Sequence, residues 1–216
     1  MKKTKLCIYG LGGGGKEALS FFFDSMKAND NYSKNDVVFM VDDAFYSNKK
    51  IMGIQVIKKS AFNPKTYKVV VAVHNPVKRK KMVESLPNET IFTKIIHPSA
   101  IISKWVDIGK GSIIGPSAIL TTNIKIGNHA IINLGVTIGH DCSISDYFTA
   151  EPASNISGNC IISKCVYLGT NSSIKENSFI QRNVVIGMGG VVIKDINESG
   201  TFVGNPLKKI YRKKNH

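Results

Sequence analysis

The sequence predicts two domains of different class: a Rossmann-like parallel α/β domain over residues 1–95 and an all-β left-handed parallel β-helix over 96–197, with a basic tail over 198–216. Three observations carry that prediction. One aliphatic residue recurs every six positions through the second half. A glycine cluster near the amino terminus joins a short apolar run to a helix-like stretch. Two more apolar runs, each ending in polar residues, follow before the six-residue period begins.

The period is read by stepping from Ile96 through Ile102, Ile108 and Ile114 to Val192. Sixteen of those seventeen positions are Ile, Leu or Val, with Ala150 the exception. Four residues further into each hexad the side chains are mostly small or β-branched, as at Ala100, Val106, Ser112, Ala118, Cys142 and Cys160. A period of six fits neither a helix nor an alternating strand, but it fits short strands that turn at every hexad. Three hexads close one triangular coil, so residues 18 apart stack. Seventeen hexads make about six coils, a prism roughly 27 Å tall at strand spacing. The left hand is taken from proteins with this repeat, an exception to the usual crossover rule. A β-sandwich would instead show irregular spacing with turns every 8–12 residues.

In the first half, Lys5–Tyr9 reads as a strand, Gly10–Gly15 as a turn and Lys16–Phe22 as a helix start. Asp36–Val41, ending in Asp42-Asp43, and Lys68–Val73, ending in His74-Asn75-Pro76, read as further strands, and Ile91–Ile95 closes the sheet. Alternating strands and helices imply a parallel sheet. Gly10, Gly12 and Gly15 match G-x-G-x-x-G, whose bare backbone and helix N-terminus can hold a phosphate. Asp42 stands where hydrogen bonds from ribose or base are accepted. A dinucleotide fold needs two mononucleotide halves, and the hexads begin before a second could fit, so one nucleotide is expected. A glycine-rich turn without a ligand is the alternative.

Composition narrows the class. Hydrophobic residues at 43% and charged residues at 20% fit a globular chain. The apolar runs are too short for a membrane span or a signal peptide, so a cytoplasmic protein without stable membrane insertion is expected. The net charge of +14 is spread over both halves and the tail, and no nucleic-acid motif accompanies it, so no nucleic-acid partner is expected. Cys7, Cys142, Cys160 and Cys165 form no C-x-x-C pair and read as reduced, structural thiols. No histidine spacing suggests a metal site.

Among five histidines, His216 is terminal, His97 sits at the domain junction and His129 is expected on an exposed corner. His140 follows Ile138-Gly139, precedes Asp141 and stacks beneath Gly158, which leaves open wall beside its ring. Spacing alone leaves it open between a solvated His-Asp corner and a general base.

The motifs Gly10–Lys16, Asp42-Asp43, His97-Pro98-Ser99-Ala100, Ile138–Asp141, Ile156-Ser157-Gly158 and Gly204-Asn205-Pro206 together resemble the bacterial sugar acyltransferases, over essentially the whole chain. That family includes nucleotide-linked amino-sugar N-acetyltransferases of bacillosamine and perosamine synthesis and relatives called sialic acid O-acetyltransferases. The resemblance implies a homotrimer, acetyl-CoA in a groove between two prisms and a nucleotide sugar on the N-terminal domain. It places the general base at His140 with Asp141 tuning it. It places substrate contacts at Gly12, Gly13, Gly14, Asp42, Asp43, His74, Asn75 and Asn133, and acetyl-CoA contacts at Thr149, Gly158, Thr170 and Met188. Two departures stand out: many members carry histidine at the position of Gly14, and some carry histidine at that of Thr149.

The expected reaction is therefore direct transfer of an acetyl group from acetyl-CoA to the amine of a UDP- or GDP-linked 4-amino-4,6-dideoxy sugar, for surface glycan biosynthesis. Neither a covalent enzyme intermediate nor a metal is expected. Acetylation of a sugar hydroxyl, as on sialic acid, is the nearest rival. A nicotinamide oxidoreductase, argued from the glycine loop, and a non-catalytic nucleotide-sugar sensor are the others.

Overall fold

A computed structural model describes residues 5–27 and 33–211. The run Arg212-Lys213-Lys214 and His216 lie outside them. Strand β1 (Lys5–Tyr9) leads through the glycine turn into α1 (Gly13–Lys27), then β2 (Val37–Val41), β3 (Val56–Lys58), β4 (Tyr67–Val71), α2 (Pro76–Glu84) and β5 (Ile91–Phe92). All pairings are parallel, in the order β3-β2-β1-β4-β5. Both sheet faces are covered, which is why Val37–Val41 is apolar without alternation. α1 packs Ala18, Leu19, Phe21 and Phe22 on one face, while Leu86 and Met82 cover Cys7, Tyr9 and Met40 on the other.

Several boundaries differ from the sequence reading, among them the start of α1 at Gly13 and the end of β4 at Val71. Asp36 precedes β2, where its carboxylate accepts the Ser33 N–H in a reciprocal cap. β3 was not expected, because three residues are too few to display a period. Ile91–Ile95 divides: β5 closes the α/β sheet, whereas Ile95 already belongs to the prism and pairs beside Ile113.

Seventeen short strands, from β6 (Ile95–Ile96) to β22 (Val191–Val192), wind into a left-handed β-helix with three walls. The register is 18 throughout: Ile96 pairs with Ile114, Ile114 with Ile132, and Ile138 with Ile156. The first wall carries strands at 95, 113, 131, 149 and 167, the second those at 101, 119, 137 and 155, and the third those at 107, 125, 143 and 161. Inward aliphatics such as Ile114, Ile132, Ile138 and Ile162 are wholly buried. Ile96 is more exposed because no coil stacks beneath it. Ala150, the one small residue in the aliphatic series, lies two residues from fully buried Phe148, which supplies the missing volume. Corners use positive φ, and Asn159, Asn171, Asn177 and Asn183 occupy them because a short amide tolerates that conformation.

Residues from 198 onward do not begin as a loose tail. β23 (Gly200–Val203) pairs parallel to Val184–Ile186, β24 (Lys208–Ile210) returns antiparallel to it, and Phe202 with Leu207 closes the top of the core. The α/β domain rests on the outer face of the first wall, where Ile95, Ile113 and Ile131 join the α1 cluster. The described residues contain no helix long and apolar enough to cross a membrane.

That docking corrects the expectation for His129, which is only 3% exposed. Its ring stacks on Tyr147 at 5.3 Å and meets the Phe92 edge at 4.6 Å, and Gly111 leaves room for Nδ1. Burial, aided by the Arg79 charge, pulls its pKa from 6.5 to about 4. Between those values the unfolded chain binds the proton that the native one refuses, so stability falls as pH drops from 6.5 towards 4. The loss should approach about 3 kcal/mol. Thermal melts of wild type and His129→Phe between pH 7 and pH 4 test this: the wild-type melting temperature should fall more steeply than that of the variant.

Candidate active site

Two chemically equipped regions lie on different sides of the prism. The first is a crevice of about 320 Å³ at the carboxyl ends of β1, β2 and β4, lined by Gly10, Leu11, Asp42, Phe45, Val73 and Lys78 among others. Open α/β sheets bind ligands at this point, beyond strand ends where the order reverses. Gly10 adopts φ of +125°, and a Cβ on Gly15 would stand 2.1 Å from the Gly10 carbonyl, so these two glycines serve the turn and its packing. Gly12 and Gly13 face open space at the α1 N-terminus, where free N–H groups suit a phosphate. Gly14 is different: a Cβ there would lie 2.6 Å from the His74 ring. Asp42 accepts a hydrogen bond from the Tyr9 hydroxyl, which burial and that carboxylate push up in pKa. Asp43 instead accepts the Ser60 N–H at 3.0 Å, and its contacts with Ser60 hold its carboxyl below the usual range. The Asn75 side chain caps α2 by accepting the Lys78 N–H at 2.9 Å. Tyr9, Leu11, Phe45 and Lys78 escaped the sequence reading, since they come together only at the strand ends.

The second region is the edge between the second and third walls. His140 sits there between the strands Thr137–Ile138 and Ser143–Ile144, its side chain 59% exposed. Its Nδ1 lies 2.7 Å from Asp141 Oδ2, and Asp141 Oδ1 accepts from Asn123 Nδ2 at 2.5 Å. The Asn123 amide, then His140, holds the Asp141 carboxyl below its ordinary range. An anionic carboxylate at Nδ1 keeps the proton there and leaves the Nε2 lone pair facing outwards. The ring covers Gly158, where a Cβ would lie 2.7 Å from Nε2. Asn123 was missed, although the stacking rule locates it: it stands 18 residues before Asp141. Cys142 and Cys160, just behind this edge, are buried in the prism.

Two residues expected to contact ligands lie buried at the domain junction. Thr149 is wholly buried under the α/β domain, its hydroxyl donating to His74 O at 2.8 Å and accepting from Arg79 Nη2 at 2.9 Å. It therefore presents no open hydroxyl to acetyl-CoA. Asn133 is 3% exposed and donates to Glu151 Oε2 at 3.1 Å, so it backs the junction rather than facing a sugar. His74 is also drawn in, with Nδ1 2.8 Å from Glu151 Oε1, though a quarter of its side chain remains exposed. Thr170 and Met188 stand 18 apart on the edge between the first and second walls, with Met188 78% exposed. Gly158 shares the His140 edge instead. One chain thus does not gather the expected acetyl-CoA contacts. The strand end at His74 and the His140 ring are separated by one wall, roughly 15–20 Å for six extended residues. Among the described residues no group of three His, Cys, Asp or Glu side chains could hold a metal.

Residues 5–86 match the family model of the PglD N-terminal domain. That match spans the α/β domain. The chain superposes on the acetyltransferase domain of PglB from Neisseria gonorrhoeae FA1090 in complex with acetyl coenzyme A, with a TM-score of 0.86 at 26% identity, covering 96% of this chain and 100% of that one. WeeI from Acinetobacter baumannii AYE matches with 0.79 at 27%, covering 96% and 100%. PerB from Caulobacter crescentus, in complex with CoA and GDP-perosamine, shares the fold with 0.83 at 23%, covering 96% and 97%. No curated protein matches the sequence. These matches bear out the resemblance drawn from the motifs.

The α/β domain holds its crevice beside the first wall, while the His140 edge lies across the prism from that wall. Its single mononucleotide unit passes from β5 almost directly into β6, leaving no second half for a dinucleotide. At the exposed edge, Gly158→Ala tests whether ring placement matters. The added methyl should displace the imidazole and cut acetyl transfer by about tenfold or more, with little change in melting temperature. Unchanged turnover would mean that the ring needs no bare backbone beneath it.

Proposed function

We propose that this chain is an acetyl-CoA-dependent N-acetyltransferase acting on a nucleotide-linked amino sugar. The observation that carries the proposal is the Asn123–Asp141–His140 chain, which aims a free Nε2 outwards over the bare Gly158 backbone. Neighbours crystallised with acetyl coenzyme A and with GDP-perosamine support the choice of donor and acceptor class. The crevice beside Asp42, Phe45 and Lys78 suits one nucleotide, with the diphosphate at the α1 N-terminus near Gly12 and Gly13.

In the proposed reaction His140 Nε2 takes a proton from the sugar amine as its nitrogen attacks the thioester carbonyl. The carbon–sulfur bond then breaks, and the thiolate recovers the proton from the imidazolium. Asp141 holds the tautomer and balances the transient charge. With Thr149 buried, backbone N–H groups are left to stabilise the oxyanion. Positioning two large ligands together supplies much of the acceleration.

Because crevice and base occupy different sides of one prism, we place the working site between two copies. The His140 and Gly158 edge of one copy would face the crevice, Thr170 and Met188 of its neighbour. A cyclic trimer closes three such grooves, in keeping with closed point-group symmetry. The reaction would take place in the cytoplasm.

His140→Ala should lower kcat by about 10²–10⁴-fold, the usual worth of a general base. Mass-spectrometric product detection with acetyl-CoA and a panel of UDP- and GDP-linked amino sugars reads this out, and full activity would remove the assignment. Co-assembled His140→Ala and Asp42→Ala chains should regain activity that neither has alone, because some grooves receive one intact half from each copy. No recovery in verified mixed oligomers would place each site within a single chain.

A further inference from the structure

A guanidinium buried at the domain junction has no place in the chemistry above. Arg79 lies in α2, one residue beyond Lys78 in the crevice wall, and has no exposed surface. Its Nε donates to His129 O at 2.8 Å. Nη2 donates to Phe148 O and to Thr149 Oγ1, each at 2.9 Å. Nη1 turns the other way, to Val73 O at 2.6 Å and His74 O at 3.1 Å. Three acceptors thus belong to the prism and two to the strand end bordering the crevice. The Thr149 hydroxyl closes the ring by donating to the same His74 carbonyl at 2.8 Å.

Burial lowers the guanidinium pKa from 12.5 to about 9, so it stays charged at neutral pH. Its hydrogen-bonding partners are carbonyls and a hydroxyl, with Glu151 an acidic neighbour farther off. A buried charge is costly, and apolar packing could join two domains without one. What a planar five-donor fork adds is a fixed direction at both surfaces.

We infer that Arg79 is a positioning residue that locks the crevice wall to the third and fourth coils, setting where the bound nucleotide sugar meets the neighbouring copy's His140. The effect on rate rests on the transferase proposal; the clamp itself does not. A displacement of about 1 Å at this junction would be felt at the reacting atoms, where it can cost about 100-fold. Lysine at 79 keeps the charge but offers a single nitrogen that cannot span both surfaces.

The test compares the full-length wild type with Arg79→Lys, and with Thr149→Val in case the first variant fails to fold. Calorimetry measures UDP, GDP and CoA binding, steady-state kinetics measure transfer, and amide exchange follows the segments around His74 and Thr149. The expected result is binding within about threefold of wild type, KM nearly unchanged, and kcat down about 100-fold in Arg79→Lys. Thr149→Val should show a smaller fall in kcat, and both variants should exchange faster at the two segments. Unchanged kcat would overturn the inference, and so would parallel loss of nucleotide and CoA binding, which signals general damage. If the wild type acetylates no sugar, the transferase reading fails by itself. The clamp is then decided by exchange, and protection equal to wild type in both variants overturns it.

Discussion

The prism and the His140 edge it carries depend on strands stacking in register at intervals of 18 residues. The hydrogen bonds that build the prism run between neighbouring coils, from Ile101 N to Ala118 O and from Gly139 N to Ile156 O. Each coil therefore needs the coils above and below it to satisfy its backbone. Because the interval is constant, side chains also stack in columns. Asn123 beneath Asp141, and His140 beneath Gly158, are consequences of that geometry. The same rule that closes the core aligns a carboxamide, a carboxylate and an imidazole on an outer edge. An insertion of one residue would break the column and the core together.

The walls also explain how one chain carries the crevice and the His140 edge without joining them. The α/β domain needs an apolar platform for α1, and the outward residues Ile95, Ile113 and Ile131 make the first wall that platform. Covering this wall commits the remaining edge, with His140, to the far side. The outward residues of the other walls are partly apolar as well, with Ile101 and Ile161 more than half exposed. Such a surface is suited to contact with further copies, which the shared-groove proposal requires.

At the junction, polar groups are buried in number yet almost all are satisfied. Arg79 bonds Phe148 and Thr149 across the boundary, Thr149 bonds His74 O and Glu151 bonds His74 Nδ1, while Asn133 supports Glu151 from within the prism. Glu151 is held ionised by His74 and Asn133 against the burial that opposes it. Among the described residues Thr90 Oγ1 and His129 Nδ1 are the buried atoms left unpartnered, and the neutral His129 ring behaves as an aromatic packing element. A junction of this kind gives the two domains a direction relative to each other as well as adhesion.

The β-helix was legible from residue spacing because its period is local: the aliphatic at each sixth position reports the wall it faces before any contact is known. His140 and its bare neighbour Gly158 followed from the same arithmetic, as Asn123 could have. The burial of Thr149 and Asn133 was not legible, since both lie on the wall that the α/β domain covers, and a period of six marks outward positions without marking which wall is covered. His129 was misjudged for that reason too. The sequence by itself determined the coil, its register and the columns of side chains, all consequences of short-range repetition. Only the tertiary structure decided which face the first domain occupies, because that depends on matching apolar surfaces brought together from distant segments of the chain.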